Sequence, residues 1–168
     1  MNKGDLIQNK QQIRAYIRKK ICWYVLPNLV FNSFIPYFSF ENPTAVHLFK
    51  GEYCFARFIL PMALFIPFAI TVDFAKKITT YVSALDTGTV WNQTGIQMGR
   101  LLKIGIFNGI ITAMAMSLLL LIIWWSAPIG YTFSGFMLAL FNGVFASLLA
   151  VYFTWWTIGY INKQQIVE

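Results

Sequence analysis

Residues 114–125 read Met114-Ala115-Met116-Ser117-Leu118-Leu119-Leu120-Leu121-Ile122-Ile123-Trp124-Trp125. This nearly pure run of Met, Leu, Ile and Trp is the strongest membrane signal in the chain. Extended back to Ile104 it covers about 33 Å at a rise of about 1.5 Å per residue, enough for a hydrocarbon core of about 30 Å. Working outward, three more apolar segments appear. Phe133–Tyr160 follows a short Ser-Ala-Pro-Ile-Gly turn and is longer than a span requires. Cys54–Asp73 carries Pro61 and Pro67, and Lys76 and Lys77 follow it. Ile21–Phe40 is the least apolar, with Pro27, Asn28, Asn32 and Pro36 inside it. Proline removes a helical hydrogen bond, so bends are expected in both, and the first needs partner helices to insert.

The composition agrees. Of 168 residues, 58% are apolar and 11% charged, whereas a soluble domain carries about 25% charged. Soluble, disordered and collagen-like classes are excluded. The prediction is an all-α integral membrane four-helix bundle, with spans at about 21–40, 54–73, 104–125 and 133–160. Residues 1–20 are a basic flank, 21–161 the membrane domain and 162–168 a tail. Residues 78–100, which include Trp91, form the longest expected loop, part of it helical along the membrane surface.

The formal net charge is +7. Six of the 13 basic residues stand at Lys3, Lys10, Arg14, Arg18, Lys19 and Lys20. They abut the first apolar segment as a cytoplasmic membrane anchor does, which argues against a nucleic-acid partner. Ile13, Tyr16, Ile17 and Ile21 share one helical face and Lys10, Arg14 and Arg18 another. That pattern reads as an amphipathic helix at the inner headgroups, or as a plain basic flank that only sets orientation. A cleaved signal peptide does not fit this flank. Threading the chain puts eleven basic residues on one side and Lys50 with Arg57 on the other. Both termini are then cytoplasmic by the positive-inside rule, and the spans form two successive hairpins, 1–2 and 3–4. Trp23 and Trp155-Trp156 fall at the inner interface and Trp124-Trp125 at the outer. Cys22 and Cys54 fall at opposite faces, too far apart for a disulfide.

A Phe-Asn-small pattern recurs at Phe31-Asn32-Ser33, Phe107-Asn108-Gly109 and Phe141-Asn142-Gly143. Gly105 with Gly109, and Gly143 with Ser147, sit four apart and let helix backbones approach closely. An amide in hydrocarbon needs a partner. Counted inward, Asn32 and Asn142 share one depth and Asn28 and Asn108 another, so two polar layers are expected. They serve either as interhelical fastening or as a polar path through the bundle. Arg57 with Glu52 reads as a snorkelling arginine or an anion site. Asp73, Lys76 and Lys77 read as an interfacial charge cluster, with Asp73 and Lys77 at i,i+4 spacing.

Catalytic constellations are missing. His47 stands alone in an expected outer loop near Glu41 and Pro43, and no nucleophile, phosphate-loop or zinc motif occurs. No cofactor is expected, and no haem, zinc or copper site can be read. The density of Phe, Tyr and Trp either packs helices against lipid or lines a pocket for an apolar ligand.

The pieces Asn28-Leu29-Val30-Phe31-Asn32-Ser33-Phe34-Ile35-Pro36-Tyr37 and Leu60-Pro61-Met62-Ala63-Leu64-Phe65-Ile66-Pro67-Phe68, with Gly135–Ile158, resemble a loose group of small uncharacterised bacterial four-span membrane proteins. The resemblance implies the architecture and a bacterial inner membrane location, and no activity. Three functions are open on the sequence. One is an integral-membrane subunit that assembles with itself or with other membrane subunits. The others are an oligomeric transporter or channel lined by the asparagines, and a binder of lipid or another apolar ligand.

Overall fold

The structure, a computed structural model, describes residues 3–85 and 98–166. It is all-α, with helices α1 (Lys3–Ser39), α2 (Ala56–Ala84), α3 (Met98–Ser126) and α4 (Gly135–Ile166). Three of them, α2, α3 and α4, are long and apolar enough to cross a membrane. Helix α1 is longer, at 37 residues, but Asn28, Asn32, Ser33 and two prolines dilute its apolar part. Both α1 and α2 run unbroken through their internal prolines.

Every helix outruns the apolar segment that announced it, and at the same end of the bundle. Helix α1 passes residue 20 without a break, α2 continues from Asp73 to Ala84, and α4 passes residue 161. Residues 78–84 of the expected loop are therefore helix, Met98–Arg100 open α3, and residues 86–97 with Trp91 lie outside the described residues. The end of the bundle where α1 begins and α4 ends is the base, and the opposite end the cap.

The extensions persist because they have something to pack on. Ile17, Phe74, Ala75, Ile78, Val82, Leu101 and Ile161 form a buried cluster at the base, drawn from all four helices. Ile13, Tyr16 and Ile21 lean on it. The apolar face of residues 13–21 is thus spent on the bundle, while Arg14, Arg18 and Lys19 stay exposed. Neither sequence reading of this stretch included this packing against the bundle. A second, larger core lies toward the cap around Phe55, Ile59, Ala63, Leu120, Ala146 and Ala150.

Helix α1 packs along α4, α2 along α3, and α2 along α4, while α1 meets α2 only sparsely. The principal partners are not the expected hairpins 1–2 and 3–4. Small residues decide this. A Cβ on Gly109 would collide with the Leu64 carbonyl, and one on Gly105 would press on Phe68 and Val72 at 3.1–3.3 Å, so α3 lies against α2. A Cβ on Gly143 would collide with Ser33 and the Leu29 carbonyl, so α4 lies against α1. The order across the bundle is α1–α4–α2–α3. Within the most apolar window of each helix, 50% of α2, 39% of α4 and 17% of α3 is buried, so α2 is central and α3 peripheral.

The cap is a small structure of its own. Val46 N–H donates to the Phe133 carbonyl at 2.9 Å and Phe133 N–H returns the bond to Val46 at 2.8 Å. This isolated antiparallel bridge zips the α1–α2 loop to the α3–α4 loop. Phe40, Val46, Leu48 and Phe55 are buried beneath it.

Candidate functional site

Polar side chains that bond across helices within the apolar core meet at the α1–α4 contact. Its logic begins with Pro36. Proline has no N–H, so the carbonyl four residues earlier, Asn32, loses its helical donor. Asn142 on α4 supplies the replacement: its Nδ2 donates to the Asn32 carbonyl at 2.9 Å, and the residue is 1% exposed. One turn on, the Ser147 hydroxyl donates to the Val25 carbonyl at 3.2 Å and to the Gly143 carbonyl at 2.9 Å. Gly143, between them, permits the close approach that both bonds need.

The other asparagines of α1 serve their own helix. Asn32 Nδ2 donates to the Asn28 carbonyl at 3.0 Å and to Asn28 Oδ1 at 3.2 Å, and Asn28 Nδ2 donates to the Tyr24 carbonyl at 2.8 Å. Asn32 and Asn142 therefore meet, through side chain and main chain, whereas Asn28 and Asn108 do not bond each other. Asn108 is 9% exposed on α3, and its Nδ2 has no partner. Asn142 Oδ1, Ser33 Oγ and Thr71 Oγ1 are likewise buried without a partner. Each such atom in an apolar medium carries a desolvation cost of about 1–3 kcal/mol unless water reaches it.

A second group lies toward the base. Asp73 Oδ2 accepts from Lys77 Nζ at 2.6 Å and from the Tyr24 hydroxyl at 2.6 Å. Lys77 Nζ also stands 5.7 Å over the Tyr24 ring, within cation–π reach. A turn or two further, the Tyr16 and Tyr81 rings stack at 3.9 Å. The Tyr16 hydroxyl donates to the Lys77 carbonyl at 3.3 Å. Burial, and then the neighbouring Tyr81 and Asp73, push the Tyr16 phenol above its ordinary value. These side chains join α1 to α2 where the backbones scarcely touch. Lys76 points outward and takes no part. The tyrosines were missed on the sequence. Tyr24 could have been found, since Tyr24, Asn28 and Asn32 recur every four residues on one stripe.

The remaining expected residues divide. Arg57 Nη1 donates to the Glu52 main-chain carbonyl at 2.7 Å, so the glutamate carboxylate is not its partner, and the guanidinium stands 5.9 Å over the Tyr53 ring. His47 lies in the cap, where its carbonyl accepts from Phe55 N–H at 3.1 Å. Cys22 is exposed and Cys54 half-buried, and both are free thiols. Among the described residues no three His, Cys, Asp or Glu side chains gather as a metal site. No protein-family model, no curated protein and no solved structure matches the chain.

Proposed function

We propose that the chain is an integral-membrane subunit whose work is assembly or anchoring, in a homo-oligomer or a larger membrane complex. The reading takes α1 as a fourth span, both termini as cytoplasmic and the membrane as a bacterial inner membrane. One observation carries it: the amides and hydroxyls at the α1–α4 contact are used to fasten helices. Asn142 and Ser147 reach across to carbonyls of α1, and Asn28 and Asn32 bond within α1. A conduction path would leave such groups facing a common space.

A transport reading keeps one point in its favour. Among the described residues, four buried polar atoms, on Ser33, Thr71, Asn108 and Asn142, have no partner. Water threaded between the helices would satisfy them, and a hydrated path is what a small transporter needs.

The separating experiment is native mass spectrometry of the full chain, extracted from its own membrane in mild detergent. The assembly reading expects stoichiometric co-purification with other membrane subunits, or a stable homo-oligomer that moves no ions or solutes in vesicles. A monodisperse homo-oligomer with measurable flux, abolished by Asn142→Leu while the fold persists, would replace it with the transport reading.

A further inference from the structure

The zipped loops of the cap and the end of α3 enclose a cavity of about 500 Å³. Its walls include His47, Lys50, Trp124, Trp125, Ile129 and Tyr131. The cavity is built: Phe133, bridged to Val46, lines it, and the Phe49 and Trp124 rings meet edge to face at 6.2 Å to join loop to helix. Its contents of charge are one-sided. Lys50 is the one lysine among the wall residues, which include no arginine, aspartate or glutamate. It has no carboxylate within ion-pair distance, the one ion pair among the described residues being Lys77–Asp73. Glu41 and Glu52 line a separate recess that shares His47 and Lys50 with the cavity, and neither lines the cavity itself. The rim is apolar and open, with Trp125 88% exposed and Ile129 fully exposed. Tryptophan at the end of an apolar helix marks the headgroup level of a bilayer.

We propose that this cavity binds the anionic headgroup of an outer-leaflet phospholipid. The phosphate lies on Lys50, with His47 and Tyr131 as further polar side chains of the same wall, and the upper acyl chain lies on Trp124, Trp125 and Ile129. A cationic ligand is disfavoured by Lys50, and a fully apolar one would leave that ammonium without a counter-charge inside the cavity. The site rests on the reading that the cap meets the outer leaflet.

The test is native mass spectrometry of the full chain after incubation with equimolar phosphatidylglycerol and phosphatidylcholine. The wild type is expected to retain one more phosphatidylglycerol per chain than Lys50→Gln does. Lys50→Arg is expected to keep that lipid, and the affinity lost in Lys50→Gln is expected to be about five- to tenfold. Quenching of Trp124 and Trp125 fluorescence by chain-brominated phosphatidylglycerol should fall in parallel. Equal retention in Lys50→Gln, or filling of the site by phosphatidylcholine, overturns the proposal. Displacement by equal concentrations of glycerol phosphate also overturns it, since the site would then take a free phosphate. Failure of the membrane reading is separate: the chain would then leave membranes in an alkaline wash, whatever Lys50 does.

Discussion

Pro36 and Asn142 are 106 positions apart, and the energetic meaning of each depends on the other. Proline leaves the Asn32 carbonyl without its helical donor, and Asn142 provides one from α4. Replacing Asn142 by Leu strands that carbonyl in an apolar contact. The expected cost is about 1–2 kcal/mol, at the upper end of measured interhelical bonds in membranes. The coupling is testable by a double-mutant cycle. With Pro36→Ala in place, residue 36 has an N–H again, so Asn142→Leu should cost markedly less. Reversible unfolding in mixed micelles measures both, and equal costs in the two backgrounds would sink the pairing. Asn142 was legible in the sequence as a buried amide. Asn32 was legible as its neighbour at the same depth, but the bonding atom was not: the asparagine pattern suggested a side-chain pair, and the vacant acceptor is the Asn32 main-chain carbonyl.

At the scale of the element, the glycines sort by what stands opposite them. A methyl on Gly109 meets the Leu64 carbonyl, a backbone atom that cannot step aside. A methyl on Gly105 meets the Phe68 side chain and carbonyl and Val72 at 3.1–3.3 Å, a gentler conflict, and Gly159 has nothing within 4 Å. Of these three, Gly109→Ala should therefore destabilise the most, by about 1–3 kcal/mol as overpacking does. Gly105→Ala should cost less, and Gly159→Ala should be neutral or slightly stabilising through helix propensity. Thermal unfolding in detergent gives the ranking, and a Gly159→Ala effect as large as that of Gly109→Ala would contradict it. Because α3 has α2 as its one extensive neighbour, Gly109→Ala should also free α3 first, seen as early proteolysis between α2 and α3. The four-residue spacing of Gly105 and Gly109 was readable. Which helix they face was not, because a small residue specifies close approach and says nothing of the partner.

For the whole molecule, the sign and placement of charge are the basis of the proposed threading. The proposed topology puts the cap outside and the base inside. In a background lacking Cys22 and Cys54, Glu41→Cys in the cap should react with a membrane-impermeant maleimide on intact cells. Gln11→Cys, exposed on α1 near the base, should react only after lysis. The reverse pattern would invert the protein, and labelling of both on intact cells would remove α1 as a span. The base cluster of Ile17, Phe74, Ile78, Val82, Leu101 and Ile161 extends the bundle beyond the apolar windows. Hydropathy alone ended the helices too early there, since it registers lipid contact and not packing in water.

Four apolar or partly apolar helices, their approximate limits toward the cap and the grouping of cations at one end were determined by sequence alone. Each is a local property: the length of an uncharged run against the thickness of a bilayer, or the density of lysine and arginine beside it. The order α1–α4–α2–α3, the Asn142–Asn32 bond, the Tyr24–Asp73–Lys77 cluster and the cap cavity were decided by the tertiary structure. Apolar helix faces are interchangeable to lipid, so hydrophobicity cannot rank partners. Close contact at Gly109 and Gly143, and one carbonyl vacated by a proline, are what choose among them.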